Sequence, residues 1–148
     1  MRLVLQRVTK ASLTVNNKII SKIEHGLVVF IGVTHSDNAS IISKMANKMI
    51  KLRLFNDENN KMNLSLLDIS GDLLIVSQFT LHGNCKKGNR PSFLDAASSE
   101  HAKKIYNEFV NYMKNKLNKV QTGIFGAHMA VELINDGPVT FILDSNEK

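Results

Sequence analysis

Residues 27–33 read LVVFIGV, seven positions without one polar side chain. The run is too short for a core helix, is rich in β-branched residues, and lacks the alternation of a half-solvated strand. It reads as a strand buried on both faces, so the rest of the chain must cover it twice. A second apolar run, LLIV, opens another strong strand, read as residues 73–81.

The flanking segments supply the cover. Ala11, Leu13 and Val15 alternate with Ser12 and Thr14, the period of a half-buried strand. Asn16-Asn17 marks a turn, because Asn tolerates the left-handed region, and residues 18–23 make a short returning strand that ends in a turn at Glu24-His25-Gly26. Near the other end, Met129, Val131 and Leu133 alternate with Ala130 and Glu132, and residues 139–143 make a last strand. Between those two, Asn135-Asp136-Gly137-Pro138 reads as a hairpin turn. Residues 144–148 read as a polar tail.

Two segments carry the helical period. Asn38 opens one, with Ile41, Ile42, Met45, Ala46, Met49 and Ile50 on a shared face, followed by a loop at residues 57–61. Ser98 is placed to cap the other, with Glu100 in its first turn. Its apolar residues are Ala102, Ile105, Tyr106, Phe109, Val110, Met113 and Leu117. Strands dominate, two helices cover them and their order is mixed, so the class is α+β.

The 148 residues, 43% hydrophobic, contain no repeat, low-complexity tract or linker, and read as a single domain over residues 1–148. Such a chain buries about two-thirds of its unfolded surface. No apolar run approaches the roughly 20 residues of a membrane span. MRLVLQRVTK, broken by Gln6 and Arg7, does not read as a signal peptide. One cysteine, Cys85, allows no internal disulfide and too few thiolates for a metal site, which fits a reducing, cytoplasmic setting. A net charge of +6 is compatible with a polyanionic partner without requiring one.

The familiar cofactor motifs do not occur. His25, His35, His82, His101 and His128 show no metal spacing, and each reads as structural or solvated. GxGxxG, P-loop and GxSxG patterns are lacking, so neither a nucleotide cofactor nor a metal is expected. Two polar features interrupt apolar strands. In a strand, Gln78, Thr80 and His82 would face one way and Ser77, Phe79 and Leu81 the other. Taken alone, SQFTL is a strand passing from core to solvent. Taken alone, Gly137-Pro138 is a turn, since only about 5–6% of X-Pro bonds are cis.

The four strings MRLVLQRV, SQFTL, KKGNRPSF and NDGPVTF, in that order, closely resemble the D-aminoacyl-tRNA deacylase (D-tyrosyl-tRNA deacylase) family. The resemblance runs from Met1 to about Leu143. It implies a cytosolic homodimer with a largely antiparallel, barrel-like sheet, hydrolysing the ester that joins a D-amino acid or glycine to the terminal adenosine of tRNA. Gly137-Pro138 would be a cis dipeptide reaching across the dimer into the partner's site, and Arg7 would help to hold it. Ser77, Gln78, Phe79 and Thr80 would form the floor under the terminal ribose and ester. Ala102, Phe125 and Met129 would line the adenosine pocket, although by pattern alone Ala102 and Met129 are core residues and Arg7 an exposed arginine. Gln78 and Thr80 are the residues expected to serve catalysis, as positioning groups in substrate-assisted, metal-free chemistry. Thr80 as a nucleophile needs an adjacent base, and the family does not require His82. Lys86, Lys87 and Arg90 would meet acceptor-stem phosphates. Cys85 matches no family requirement. Two rivals remain: a nucleic-acid-binding module without catalysis, as some eukaryotic relatives of the family associated with replication origins suggest, and a structural dimer whose motifs only seal its interface.

Overall fold

β1 (Arg2–Val15) organises the sheet, because its two edges serve different partners. Along one edge it pairs antiparallel with β2 (Lys18–Ile23) and β3 (Gly26–Gly32), and along the other with β8 (Ala130–Asp144). β3 continues the sheet through parallel pairing to β6 (Asp72–Ser77), which pairs parallel with β7 (Val120–Thr122). Ser21 Oγ on β2 donates to the Thr122 carbonyl on β7 at 2.7 Å, bringing the two ends of that order together. The sheet is therefore mixed and nearly closed. Two helices, α1 (Ala39–Lys51) and α2 (Ser99–Lys114), accompany it, as the α+β reading expects. A small hairpin, β4 (Phe55–Asn56) with β5 (Met62–Leu64), encloses the expected loop at residues 57–61. This computed structural model describes residues 1–146; Glu147 and Lys148 of the expected polar tail lie outside the described residues.

The doubly buried strand is covered on both sides. Leu27, Val29 and Ile31 pack with Met45, Met49 and Phe109 of the helices. Val28, with half-buried Phe30, faces a second cluster containing Leu13, Leu74 and Val76. Each such side chain contributes about 1.5–3 kcal/mol by leaving water. The helix starts lie where the sequence places them. Asn38 Oδ1 accepts from Ser40 N at 3.0 Å, and Ser98 Oγ from His101 N at 3.3 Å, caps worth about 1 kcal/mol each. Asn16 and Asn17 make the β1–β2 turn with φ of 48° and 59°.

Three expectations fail. Residues 135–138 are no hairpin turn: one strand, β8, runs through them and pairs with β1 on both sides. The reason is that β1 offers a partner throughout, so the chain bulges instead of reversing. The second strong strand stops at Ser77, and Phe79–His82 is a 3-10 turn, so Gln78, Thr80 and His82 share no strand face. The tail begins later than expected. Arg2 Nη2 holds Asp144 Oδ2 at 2.7 Å, and Ser145 N donates to the Met1 carbonyl at 2.9 Å.

Candidate active site

The parallel ladder between β3 and β6 ends where Gln78 N donates to the Ile31 carbonyl at 2.8 Å. β3 stops at Gly32, so the following residues have no strand partner. They close a 3-10 turn instead, through Leu81 N to Gln78 O at 3.3 Å and Gly83 N to Thr80 O at 2.9 Å. Gly32 lets this turn sit against β3, because a Cβ there would lie 2.9 Å from Leu81 Cβ and 3.2 Å from the Gln78 carbonyl. From the far side, Arg2 Nη1 donates to Leu81 O at 2.7 Å. The turn is thus fixed at both flanks while Phe79 and Thr80 remain exposed.

Beside the turn lies a pocket of about 620 Å³. Ser77, Gln78 and Phe79 form one wall, Ala102 of α2 another, and Phe125 and Met129 of the β7–β8 connection a third. Six sequence-derived site residues therefore come together, and the pattern-based reading of Ala102 and Met129 as core is half right. Each is partly buried and packs on a core cluster while presenting surface to the pocket. Phe79 meets Phe93 edge-on at 5.0 Å between centroids, and Tyr106 leans on Phe125 at 5.7 Å. Mostly apolar walls with a few polar groups suit a planar, partly polar ligand.

Thr80 stands next to Phe79 on the turn and does not itself line the pocket. Gln78 Nε2 donates to Thr80 Oγ1, which leaves the threonine O–H free to donate outward. Its hydrogen-bond partner is therefore a donor, not a base. His82 is buried, its Nε2 without a hydrogen-bond partner among the described residues, and its side chain does not line the pocket. Tyr106 is, with the exposed His128, one of two ionisable wall residues among those described. Burial pushes its phenol up to about 12, against a small lowering by the Gly123 N–H, and its hydroxyl donates to Ile75 O at 2.9 Å. It stays neutral and serves the wall.

A second cluster forms on β1 and β8. Between the pairs Gln6 with Thr140 and Val8 with Asn135, the single residue Arg7 stands opposite four residues of β8, 136–139. Arg7 is buried, not exposed as its pattern suggested. Its Nε donates to the Asp136 carbonyl at 3.1 Å and pairs with Asp136 Oδ2 at 3.1 Å, while Nη1 donates to Leu54 O at 2.7 Å and Asn56 Oδ1 at 3.1 Å. Asn135 Oδ1 closes the bulge by accepting from Val139 N at 2.9 Å. Above this grip the Gly137-Pro138 peptide is cis, and both residues are exposed. Neither they nor Arg7 line the pocket of their own chain.

Lys86, Lys87 and Arg90 are exposed on a loop closed by the Asn84–Ser92 bridge, and they do not line the pocket either. Phe93, just past that bridge, does. The sequence reading missed Phe30, Tyr106 and His128 as wall residues. Tyr106 sits on the apolar stripe of α2 and gave no separate signal; Phe93 stood within the quoted KKGNRPSF string. Among the described residues, no three His, Cys, Asp or Glu side chains come together as metal ligands, and no helix is long and apolar enough to cross a membrane.

Known proteins resemble this chain in sequence and fold. Residues 4–144 match the family model described as D-Tyr-tRNA(Tyr) deacylase. The chain is 58% identical to the D-aminoacyl-tRNA deacylase of Thermosipho africanus over 99% of both chains. It is 54% identical to that of Petrotoga mobilis, also over 99% of both. Among solved structures it is similar to the c-Myc DNA Unwinding Element Binding Protein, at 39% identity and a TM-score of 0.94, covering 99% of this chain and 100% of the other. On a family match that spans both the pocket and the Arg7 cluster, the chain belongs to the D-Tyr-tRNA(Tyr) deacylase family.

Proposed function

We propose that this protein is an esterase that releases D-amino acids from D-aminoacyl-tRNA, and glycine from mischarged tRNA, working as a cytoplasmic homodimer. The observation that carries the reading is a separation. Gly137-Pro138 is presented outward on β8, away from the pocket of its own chain that holds Ser77, Gln78 and Phe79. A second copy can bring the dipeptide to that pocket. Ile134, Phe141 and Ile142, exposed on the same strand, supply apolar surface for such a pairing.

In this reading the terminal adenosine lies among Phe125, Met129 and Ala102, and the ester reaches the turn at Gln78–Thr80. The main-chain carbonyls around Gly137-Pro138 of the partner accept from the substrate ammonium and close off the side on which an L side chain would project. A loss of about 4 kcal/mol on that side gives roughly a thousandfold rejection. Glycine has no side chain to reject. The ester is already activated, and the ribose 2′-hydroxyl can orient or activate water. The protein then contributes orientation and donors for the developing oxyanion. A 3-10 turn leaves its first N–H groups without partners inside the turn, which makes Phe79 N and Thr80 N the natural donors. Thr80, held by Gln78, positions substrate through its free O–H. Lys86, Lys87 and Arg90 contact acceptor-stem phosphates.

A binding module without catalysis is the second reading, favoured by the likeness to a DNA-unwinding-element binding protein. Incubation with D-tyrosyl-tRNA and L-tyrosyl-tRNA in parallel, with EDTA, separates the two. Rapid loss of the D ester alone is the esterase result. Loss of neither ester, with or without EDTA, leaves the binding module.

A further inference from the structure

A second groove, of about 440 Å³, adjoins the first and shares Tyr106 and Phe125 with it. One wall is a stripe of α2: Lys103, Asn107, Asn111 and Lys114, at the spacing that keeps side chains on one helix face. The other wall is Thr122, Gly123 and Ile124 from β7 and the residues after it. Its side chains include two ammonium groups, two carboxamides and two hydroxyls and, among the described residues, no carboxylate. The acidic residues of α2, Glu100 and Glu108, do not line it. Lys103, Lys114, Asn107 and Asn111 are all exposed, and among the described residues none of these four side chains makes an ion pair or hydrogen bond. Ile124, about half exposed, adds an apolar surface at the rim.

Cations and carboxamides without protein partners, around a groove with an apolar edge, match the chemistry of single-stranded nucleic acid. Ammonium groups take phosphates, amides take base edges or sugar hydroxyls, and an apolar side chain takes a base face. Resting on the esterase reading, which puts the terminal adenosine in the first pocket, we infer that this α2–β7 groove receives the unpaired nucleotides that precede that adenosine. The Tyr106–Phe125 pair is the partition the strand crosses, and Lys103 and Lys114 hold its phosphates. The groove thus recognises the single-stranded 3′ end of tRNA by charge and shape, independently of the amino acid.

The test compares two substrates, D-tyrosyl-tRNA and the D-tyrosyl ester of adenosine alone, for wild type and the double variant Lys103→Ala/Lys114→Ala. Both lysines are exposed, so a melting curve matching wild type checks the fold. For the tRNA substrate the variant is expected to raise KM about tenfold at unchanged kcat, and to reduce the log–log salt slope by about 1.4, the value for two lost single-strand phosphate contacts. Hydrolysis of the adenosine ester is expected to match wild type. Equal KM values and salt slopes for variant and wild type on D-tyrosyl-tRNA would overturn the groove. Equal losses on both substrates would also overturn it, because the lysines would then act through the first pocket. If wild-type protein hydrolyses neither substrate, the esterase reading itself fails, a result distinct from both.

Discussion

Arg7 Nε donates to the main-chain carbonyl of Asp136 at 3.1 Å, the residue directly before Gly137-Pro138. The same guanidinium reaches Leu54 O and Asn56 Oδ1, so one buried side chain ties the β8 bulge to the segment that follows α1. A planar, permanently charged fork can satisfy these divergent acceptors at once, and an ammonium cannot.

Replacing Arg7 with Ala strands the buried Leu54 carbonyl and turns the part-buried Asp136 and Asn56 acceptors over to water, at a cost of about 2 kcal/mol. Arg7→Lys is expected to recover only part of this. Thermal unfolding measures the loss, and the ratio of D- to L-tyrosyl-tRNA hydrolysis measures the loosened dipeptide. An Arg7→Ala protein as stable and as selective as wild type would remove Arg7 from its positioning role.

Gly137 has φ +128°, and a Cβ there would come within 2.7 Å of Val139 Cγ2 and 3.2 Å of Arg7 Nη2. Gly137→Ala is therefore strained by about 1–3 kcal/mol, concentrated at the bulge. The expected outcome is a fall of at least about tenfold in D-ester hydrolysis, equivalent to at least about 1.4 kcal/mol. A binding module without catalysis would instead keep its nucleic-acid affinity unchanged.

Thr80 accepts from the Gln78 amide and, among the described residues, hydrogen-bonds to no base, so it orients rather than attacks. Thr80→Ala is expected to keep single-turnover hydrolysis within about tenfold of wild type. A loss of about three orders of magnitude would make Thr80 the nucleophile after all.

Much of this was legible in the sequence for simple reasons. LVVFIGV had to be covered on both faces, and Asn38 and Ser98 cap helices through local chemistry that tertiary structure rarely overrides. What stayed hidden depended on distant partners. Residues 135–138 look like a hairpin because nothing local reveals that β1 pairs on both sides of them. The strand beyond Ser77 looks continuous because its end is set by where β3 stops. Arg7 looks exposed because its acceptors lie about fifty and more than a hundred residues away. The pocket residues were found by family resemblance, since Ala102 and Met129 satisfy a core pattern as well as a site.

Asp144 gives the fold an acid limit. Burial raises its carboxyl, but the Asn146 N–H and the Arg2 guanidinium outweigh this and hold it below the usual carboxylate range. A depressed folded pKa means its stabilisation is present above the unfolded value of 3.8 and lost as pH falls through the folded value. Melting temperature is therefore expected to drop on acidification below about pH 4, and Asp144→Asn to flatten part of that drop. Because Arg2 also holds Leu81 O, the same variant is expected to weaken D-ester hydrolysis at neutral pH. Superimposable acid-unfolding curves would remove this pair from the stability account.

Mixing two defective proteins tests the shared site most directly. Gln78→Ala damages the pocket floor and Gly137→Ala the dipeptide; each is purified alone, checked for dimerisation, then unfolded and refolded together in equal amounts. If each site takes its floor from one protomer and its dipeptide from the other, random pairing leaves one site in four intact, and D-tyrosyl-tRNA hydrolysis recovers to about a quarter of wild type. No recovery beyond the average of the two separate variants, from mixed dimers shown to have formed, would contradict a dipeptide acting across the interface.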